Sequence, residues 1–151
     1  MTAEAPRAAD MFQLDRATCL ALLSVQHVGR LVIPGEQPRI MTLNYVLVDD
    51  TIVFRAEVGS ASEQIVDRAV AFEVDMVDER TRSGWSVVAR GIGAIATTRD
   101  GAAVVGDRRI RVESWAPGAK DRWLTITVGE VTGRLLRGEV APTWVNEHSY
   151  L

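Results

Sequence analysis

Side chains suited to chemistry are scarce in this sequence. It holds one cysteine, Cys19, and two histidines, His27 and His148. An internal disulfide is therefore impossible, and a Cys/His zinc centre lacks ligands, so no metal site is expected. There is no Gly-x-Ser-x-Gly elbow, and neither histidine has a readable partner for activating a nucleophile. Glu73 and Asp75 fall two apart on one strand face, as paired carboxylates would, yet simple alternation predicts a solvated face there. Gly91-Ile92-Gly93-Ala94-Ile95-Ala96 matches Gly-x-Gly-x-x-Gly/Ala. In dinucleotide-binding folds that pattern needs a tight turn from strand into helix. Here Thr97-Thr98 follows instead of an apolar helix, so the glycines read as part of a bent strand. Arg108, Arg109 and Arg111 read as a solvated basic cluster. The chemistry must come from an external cofactor, from carboxylates, or not occur, and no catalytic side chain stands out.

The stretch with most to say is Thr42-Leu43-Asn44-Tyr45, then a hairpin, then Phe54-Arg55-Ala56-Glu57-Val58-Gly59-Ser60. It reads as strand, turn and strand, followed by a Gly-Ser opening onto a helix. A helix N-terminus offers unpaired amide donors, and Arg55 can add a bidentate contact, which together make a phosphate cradle. Asn44 can hydrogen-bond the edge of a heterocycle. The same residues equally make a surface arginine beside an ordinary N-cap. Four tryptophans (Trp85, Trp115, Trp123, Trp144) exceed what a small core needs; barrel core, dimer contact and a cofactor stack each account for them.

The elements that must position these residues are mostly strands. Residues 1–11 are Ala-rich and polar, and are expected to be mobile. Asp15 caps a short helix whose stripe of Cys19, Leu20, Leu22 and Leu23 faces a core, with Leu14 stapled onto Cys19. Strands are expected over 27–33, 39–48 and 51–57, with a compact turn at Asp49-Asp50. Ser60-Ala61-Ser62-Glu63 has capping-box spacing and opens a helix through Ala69. Alternation marks a strand over 70–76, and a long strand runs over 85–98. Residues 99–105 read as a helical turn, and 122–128 and 131–136 as two strands around a Gly129-Glu130 turn. Residues 139–151 show no periodicity. Six or seven antiparallel strands with small helices describe a mainly β fold, a β-barrel with helical decoration.

Length and charge narrow the function. A chain of 151 residues is one domain large enough to bury its own core. Its net charge of −3 and pI near 5.4 argue against phosphate-backbone binding, so no nucleic-acid partner is expected. Mean hydropathy is +0.05, and no apolar run approaches a membrane span. The N-terminus has no secretory pattern, so a cytoplasmic protein is expected.

Taken in order, His27-Val28-Gly29-Arg30-Leu31, Leu43-Asn44-Tyr45-Val46, Ile52-Val53-Phe54-Arg55, Gly59-Ser60, Val70-Ala71-Phe72-Glu73-Val74-Asp75 and Gly84-Trp85-Ser86-Val87 resemble the pyridoxamine 5′-phosphate oxidase-like family. Within it they look most like an actinobacterial branch of small flavin oxidoreductases. Ser114-Trp115-Ala116-Pro117-Gly118-Ala119 and Val131-Thr132-Gly133-Arg134 fit the same branch, and the resemblance covers roughly residues 14–136. It implies an FMN-binding split barrel over residues 12–138, acting as a homodimer with the flavin at the interface. FMN would lie along Thr42, Leu43 and Asn44. Its phosphate would be held by Arg55, Ala56 and the Ser60–Ala61 region. Trp85, Ser86 and Val87 would approach from the long strand, and Trp115 and Trp123 would complete the pocket. A flavin would supply the reactive atom, with the side chains binding and orienting it.

One departure bears on affinity. Related chains commonly carry a lysine after Gly-Ser/Thr, where this chain has Ala61. Losing one charge-assisted phosphate contact costs roughly 1.5–3 kcal/mol, about tenfold to a hundredfold in affinity. The deazaflavin F420 is the alternative cofactor. A non-catalytic flavin- or haem-binding, stress-associated protein is the alternative class. The substrate-binding arginines and histidines of true pyridoxamine phosphate oxidases find no match, so the expected small-molecule substrate is not vitamin B6.

Overall fold

The computed structural model describes residues 9–138. The chain runs β1 (Asp10–Leu14), α1 (Arg16–Val25), β2 (Val28–Ile33), β3 (Arg39–Val48), β4 (Thr51–Ala56), a 3₁₀ turn (Ala61–Ile65), β5 (Ala69–Asp78), β6 (Ser83–Ile95), β7 (Thr98–Arg99), β8 (Ala102–Val105), β9 (Arg108–Arg109) and β10 (Arg122–Arg137). Six antiparallel strands form a closed barrel in the order β10-β4-β3-β2-β5-β6, with β6 pairing back onto β10. β1 adds a seventh strand on the free edge of β10, beyond the point where β4 stops. The mainly β expectation of a barrel with few helices holds. Trp144, His148 and the rest of the expected tail (139–151) lie outside the described residues, as do residues 1–8. Asp10 and Met11, expected within a mobile N-terminus, are paired strand residues.

Alternation decides which side chains fill the barrel. Tyr45, Phe54, Phe72, Leu31, Ile52, Val74, Val87, Leu124 and Ile126 point inward and are essentially unexposed. α1 closes one end. Asp15 accepts a 2.8 Å bond from the Thr18 amide, and the helix buries Cys19 and Leu23. Burying Leu23 contributes about 1.5–3 kcal/mol. The Tyr45 hydroxyl donates to the Leu23 carbonyl, fastening the helix to β3. Among the described residues, no helix is long and apolar enough to cross a membrane.

Four local expectations are corrected. The capping-box helix is a single 3₁₀ turn whose Ser60 hydroxyl caps nothing; the Glu63 carboxylate is taken by Arg122 and the Gly59 amide instead. Residues 98–109 form a small three-stranded sheet, β7-β8-β9, where a helical turn was expected. Its turns need positive φ, met by Asp100, Gly101 and Gly106. Residues 122–137 are one strand, and Gly129-Glu130 is a bulge: two residues stand opposite Arg90 between the pairs Val128↔Gly91 and Val131↔Ala89. Glu73 and Asp75 do not face open water together. Arg30 bridges them at 3.2 and 2.9 Å, and burial pushes the Glu73 carboxyl above its ordinary range against that arginine's pull.

The Gly-x-Gly motif lies inside β6. A Cβ on Gly93 would come 2.3 Å from the Ile65 carbonyl oxygen, and one on Gly91 2.1 Å from that of Thr127. Close backbone approach explains both glycines.

A second, smaller core lies outside the barrel wall. Ala103, Ile110 and Val112 from the small sheet and its exit pack with Val53, Ala96 and Trp123. The Trp123 indole N–H donates to the Gly101 carbonyl at 3.0 Å. This patch anchors the segment that continues through 113–120.

Candidate functional site

β3 and β4 pair with Tyr45 opposite Phe54, both facing inward. One step along, Asn44 and Arg55 therefore meet on the outer face, and Arg55 in turn lies opposite Trp123 of β10. Its guanidinium carbon sits 5.0 Å from the Trp123 ring centroid. The segment 113–120 folds over this row. The Trp115 amide donates to Asn44 Oδ1 at 2.9 Å, and Asn44 Nδ2 donates to the His27 carbonyl at 3.3 Å. Arg55 Nε donates to the Lys120 carbonyl at 2.7 Å. Lys120 Nζ in turn reaches Glu57 Oε1 at 2.7 Å.

Between these walls lies a cavity of about 300 Å³. Its lining comes from β3 (Met41, Thr42, Leu43, Asn44), from the end of β4 through the 3₁₀ turn (Arg55, Ala56, Glu57, Ser60, Ser62), and from the overlying segment (Ser114, Ala116, Lys120). Six expected site residues thus share one cavity: Thr42, Leu43, Asn44, Arg55, Ala56 and Ser60. Ala61 sits between two lining serines. Trp115 is exposed beside the cavity, flanked by two lining residues, and Trp123 stands behind Arg55 as its stacking surface.

Trp85, Ser86 and Val87 lie elsewhere. Ser86 pairs with Arg134 on the far half of β10, and the strand between Trp123 and Arg134 covers roughly 35 Å. Trp85 and Ser86 line a second cavity of about 330 Å³ with Met11, Asp75, Arg82 and Arg134 among its walls. Val87 is wholly inside the barrel and can offer a ligand only its backbone.

Electrostatically the first cavity suits an anion. Arg55 uses Nε on the chain, while among the described residues no hydrogen bond engages its two terminal nitrogens. Ser60 Oγ is the one buried side-chain polar atom without a partner among the described residues, and its residue lines this cavity. A guanidinium, an ammonium and hydroxyls are the donor set a phosphate requires. Glu57 is the opposing charge; its hydrogen bond from Lys120 holds its carboxyl below the ordinary range. Cys19 is buried in the core and its thiol is pushed up by burial, so it takes no part here. No group of three His, Cys, Asp or Glu among the described residues could hold a metal ion.

Six lining residues were not among the expected site residues: Met41, Glu57, Ser62, Ser114, Ala116 and Lys120. Lys120 joins the cavity through contacts far apart in sequence; its one sequence signal is that it is the only lysine among 17 basic residues.

Comparison with known proteins agrees with this architecture. The family model described as pyridoxamine 5′-phosphate oxidase matches residues 15–135. A Mycobacterium tuberculosis protein described as uncharacterised is 32% identical over 133 residues, covering 83% of this chain and 86% of its own. Among solved structures, an FAD-binding protein from Mycobacterium smegmatis superimposes with a TM-score of 0.64 at 23% identity, over 85% of this chain and 100% of that one. An FAD-binding protein from Mesorhizobium loti gives 0.66 at 22% identity, over 85% and 98%. At these identities the two structures establish a shared fold.

Proposed function

The chain belongs to the pyridoxamine 5′-phosphate oxidase family, and we propose that it is a homodimeric, flavin-dependent oxidoreductase that holds FMN by its phosphate in the cavity beneath Arg55. The observation carrying this reading is the convergence of Thr42, Leu43, Asn44, Arg55, Ala56 and Ser60 on one cavity with cationic walls. FMN, when bound, supplies the hydride- or electron-accepting ring.

The chain's own residues bind and orient. Arg55 offers a flat pair of donors to a phosphate, and Trp123 behind it keeps the guanidinium plane in place. Asn44 is committed to bracing the Trp115 segment, so its share in cofactor binding is the shape of the wall. The cavity volume is at the bottom of the range for ligand sites, about 300–1,000 Å³, which supports completion by a second copy. Trp85 and Ser86 of β6, paired with the far half of β10 and so too distant to share one cofactor with Arg55 in the same copy, suit that second contribution. The FAD-binding relatives make FAD the second reading.

The test is to purify the protein, unfold it and identify what it releases by absorbance, fluorescence and mass. Released FMN supports the proposal; FAD or F420 replaces the cofactor assignment. Release of no flavin, together with no change in flavin fluorescence when FMN is added at micromolar concentrations, overturns it.

A further inference from the structure

The placement of Lys120 is unusual for a lysine. Sixteen of the 17 basic residues are arginines, and the single lysine stands on the wall of the candidate site. Only 16% of its side chain is exposed, whereas the Glu57 side chain it holds is 59% exposed. An ion pair with one partner so solvated adds little to stability, so folding gives little reason to keep it. Its backbone is fixed from the other side, since the Lys120 carbonyl accepts the Arg55 Nε bond. Arg55 and Lys120 are therefore tethered as a unit. One is a planar fork stacked on Trp123. The other is a point charge on a rotatable stem that exchanges partners readily.

We propose that Lys120 is the second phosphate-holding cation of this cavity, released from the Glu57 carboxylate and taken up by the ligand's phosphate when a phosphorylated flavin binds. The inference rests on the flavin reading and adds a residue and a selectivity to it. Glu57 acts as the resident anion. It keeps the ammonium ordered and partly neutralised while the cavity has no ligand, and a ligand without negative charge offers the ammonium nothing to exchange it for. A terminal phosphate outcompetes a single carboxylate because it carries more charge and more acceptor oxygens. The site should thus favour FMN over riboflavin, which offers the same ring without phosphate.

The experiment compares FMN and riboflavin affinities, by flavin fluorescence, for the full-length wild type, Lys120→Met and Glu57→Gln. Lys120→Met should weaken FMN about tenfold to a hundredfold while leaving riboflavin nearly unchanged. Glu57→Gln should tighten FMN by about two- to fivefold by freeing the lysine. That second variant keeps the lysine in place, so it tests the exchange even if Lys120→Met folds poorly. An FMN-to-riboflavin ratio unmoved by both substitutions overturns the role of Lys120 while leaving flavin binding intact. Equal weakening of both ligands by Lys120→Met, with no gain from Glu57→Gln, makes the pair merely structural. A wild type that binds neither ligand overturns the flavin reading itself, and this inference with it.

Discussion

Replacing Arg55 with alanine separates the fold's use of this side chain from the site's use of it. Two interactions belong to the ligand-free protein: the 2.7 Å bond from Nε to the Lys120 carbonyl and the stacking over Trp123 at 5.0 Å. A hydrogen bond from a charged donor contributes about 1.5 kcal/mol, and a cation over an aromatic ring about 0.5–1 kcal/mol at a partly exposed site. Together they come to about 2 kcal/mol. Unfolding entropy of about 2.1 cal/mol/K per residue gives about 0.27 kcal/mol/K for a fold of about 130 residues. Arg55→Ala should therefore lower Tm by about 7 °C. On the proposed reading a third interaction forms only with FMN, and its loss should weaken binding about tenfold to a hundredfold beyond the stability effect. Thermal melts followed by circular dichroism give the first quantity. Fluorescence titration well below the variant's Tm gives the second, with Arg55→Lys as the control that keeps charge but loses the fork. A variant that melts lower yet binds FMN as tightly as wild type would show that Arg55 braces the wall and does not touch the phosphate.

Two further substitutions probe the frame. Tyr45→Phe leaves the Leu23 carbonyl at the end of α1 without its donor in a buried setting, at a cost of about 1–3 kcal/mol; Tm should fall by about 4–11 °C, and a shift below about 1 °C would remove this bond from the account. Acid stability follows from Asp15, Glu57, Glu63 and Asp78, whose carboxyls are all held below their ordinary ranges, Asp15 first by the Thr18 amide and Glu63 first by Arg122. The folded state binds protons less readily than the unfolded chain at these groups, so their contribution is complete near neutrality and is lost as pH falls below about 4.5. Asp15→Asn, an equally good cap, should leave neutral stability nearly unchanged and flatten the acid limb; an unaltered limb in pH-dependent melts would refute the assignment.

How much was legible depended on whether a signal was local. β5 declared itself by strict alternation, and Asp15 by its position before an apolar stripe, because one buried face forces that pattern. Thr42–Asn44, Arg55 and Ser60 were legible as a site because strand, hairpin and strand bring them together within twenty residues. The small sheet was not legible. Its strands have two to four residues, and Ala103, Ile110 and Val112 are brought onto Trp123 only by successive turns at Asp100, Gly101 and Gly106. Gly129-Glu130 looked like a turn, since nothing nearby in sequence says that β6 runs on past it as a partner. The pairing of Lys120 with Glu57 spans 63 positions and leaves no pattern in either stretch. Ala61 illustrates the consequence. Set against the resemblance it subtracts a cation from the phosphate cradle, whereas in three dimensions the cavity already holds a second one, Lys120.

On the proposed function, the cavity between β3, β4 and the 113–120 segment holds a flavin by its phosphate. Calorimetric titration of cofactor-free wild-type protein with FMN tests it most directly, with sedimentation run on the same sample. Saturable binding of one FMN per chain with a micromolar or tighter Kd is expected, in a protein that sediments as a dimer. No heat and no saturation up to about a hundred micromolar FMN would contradict it.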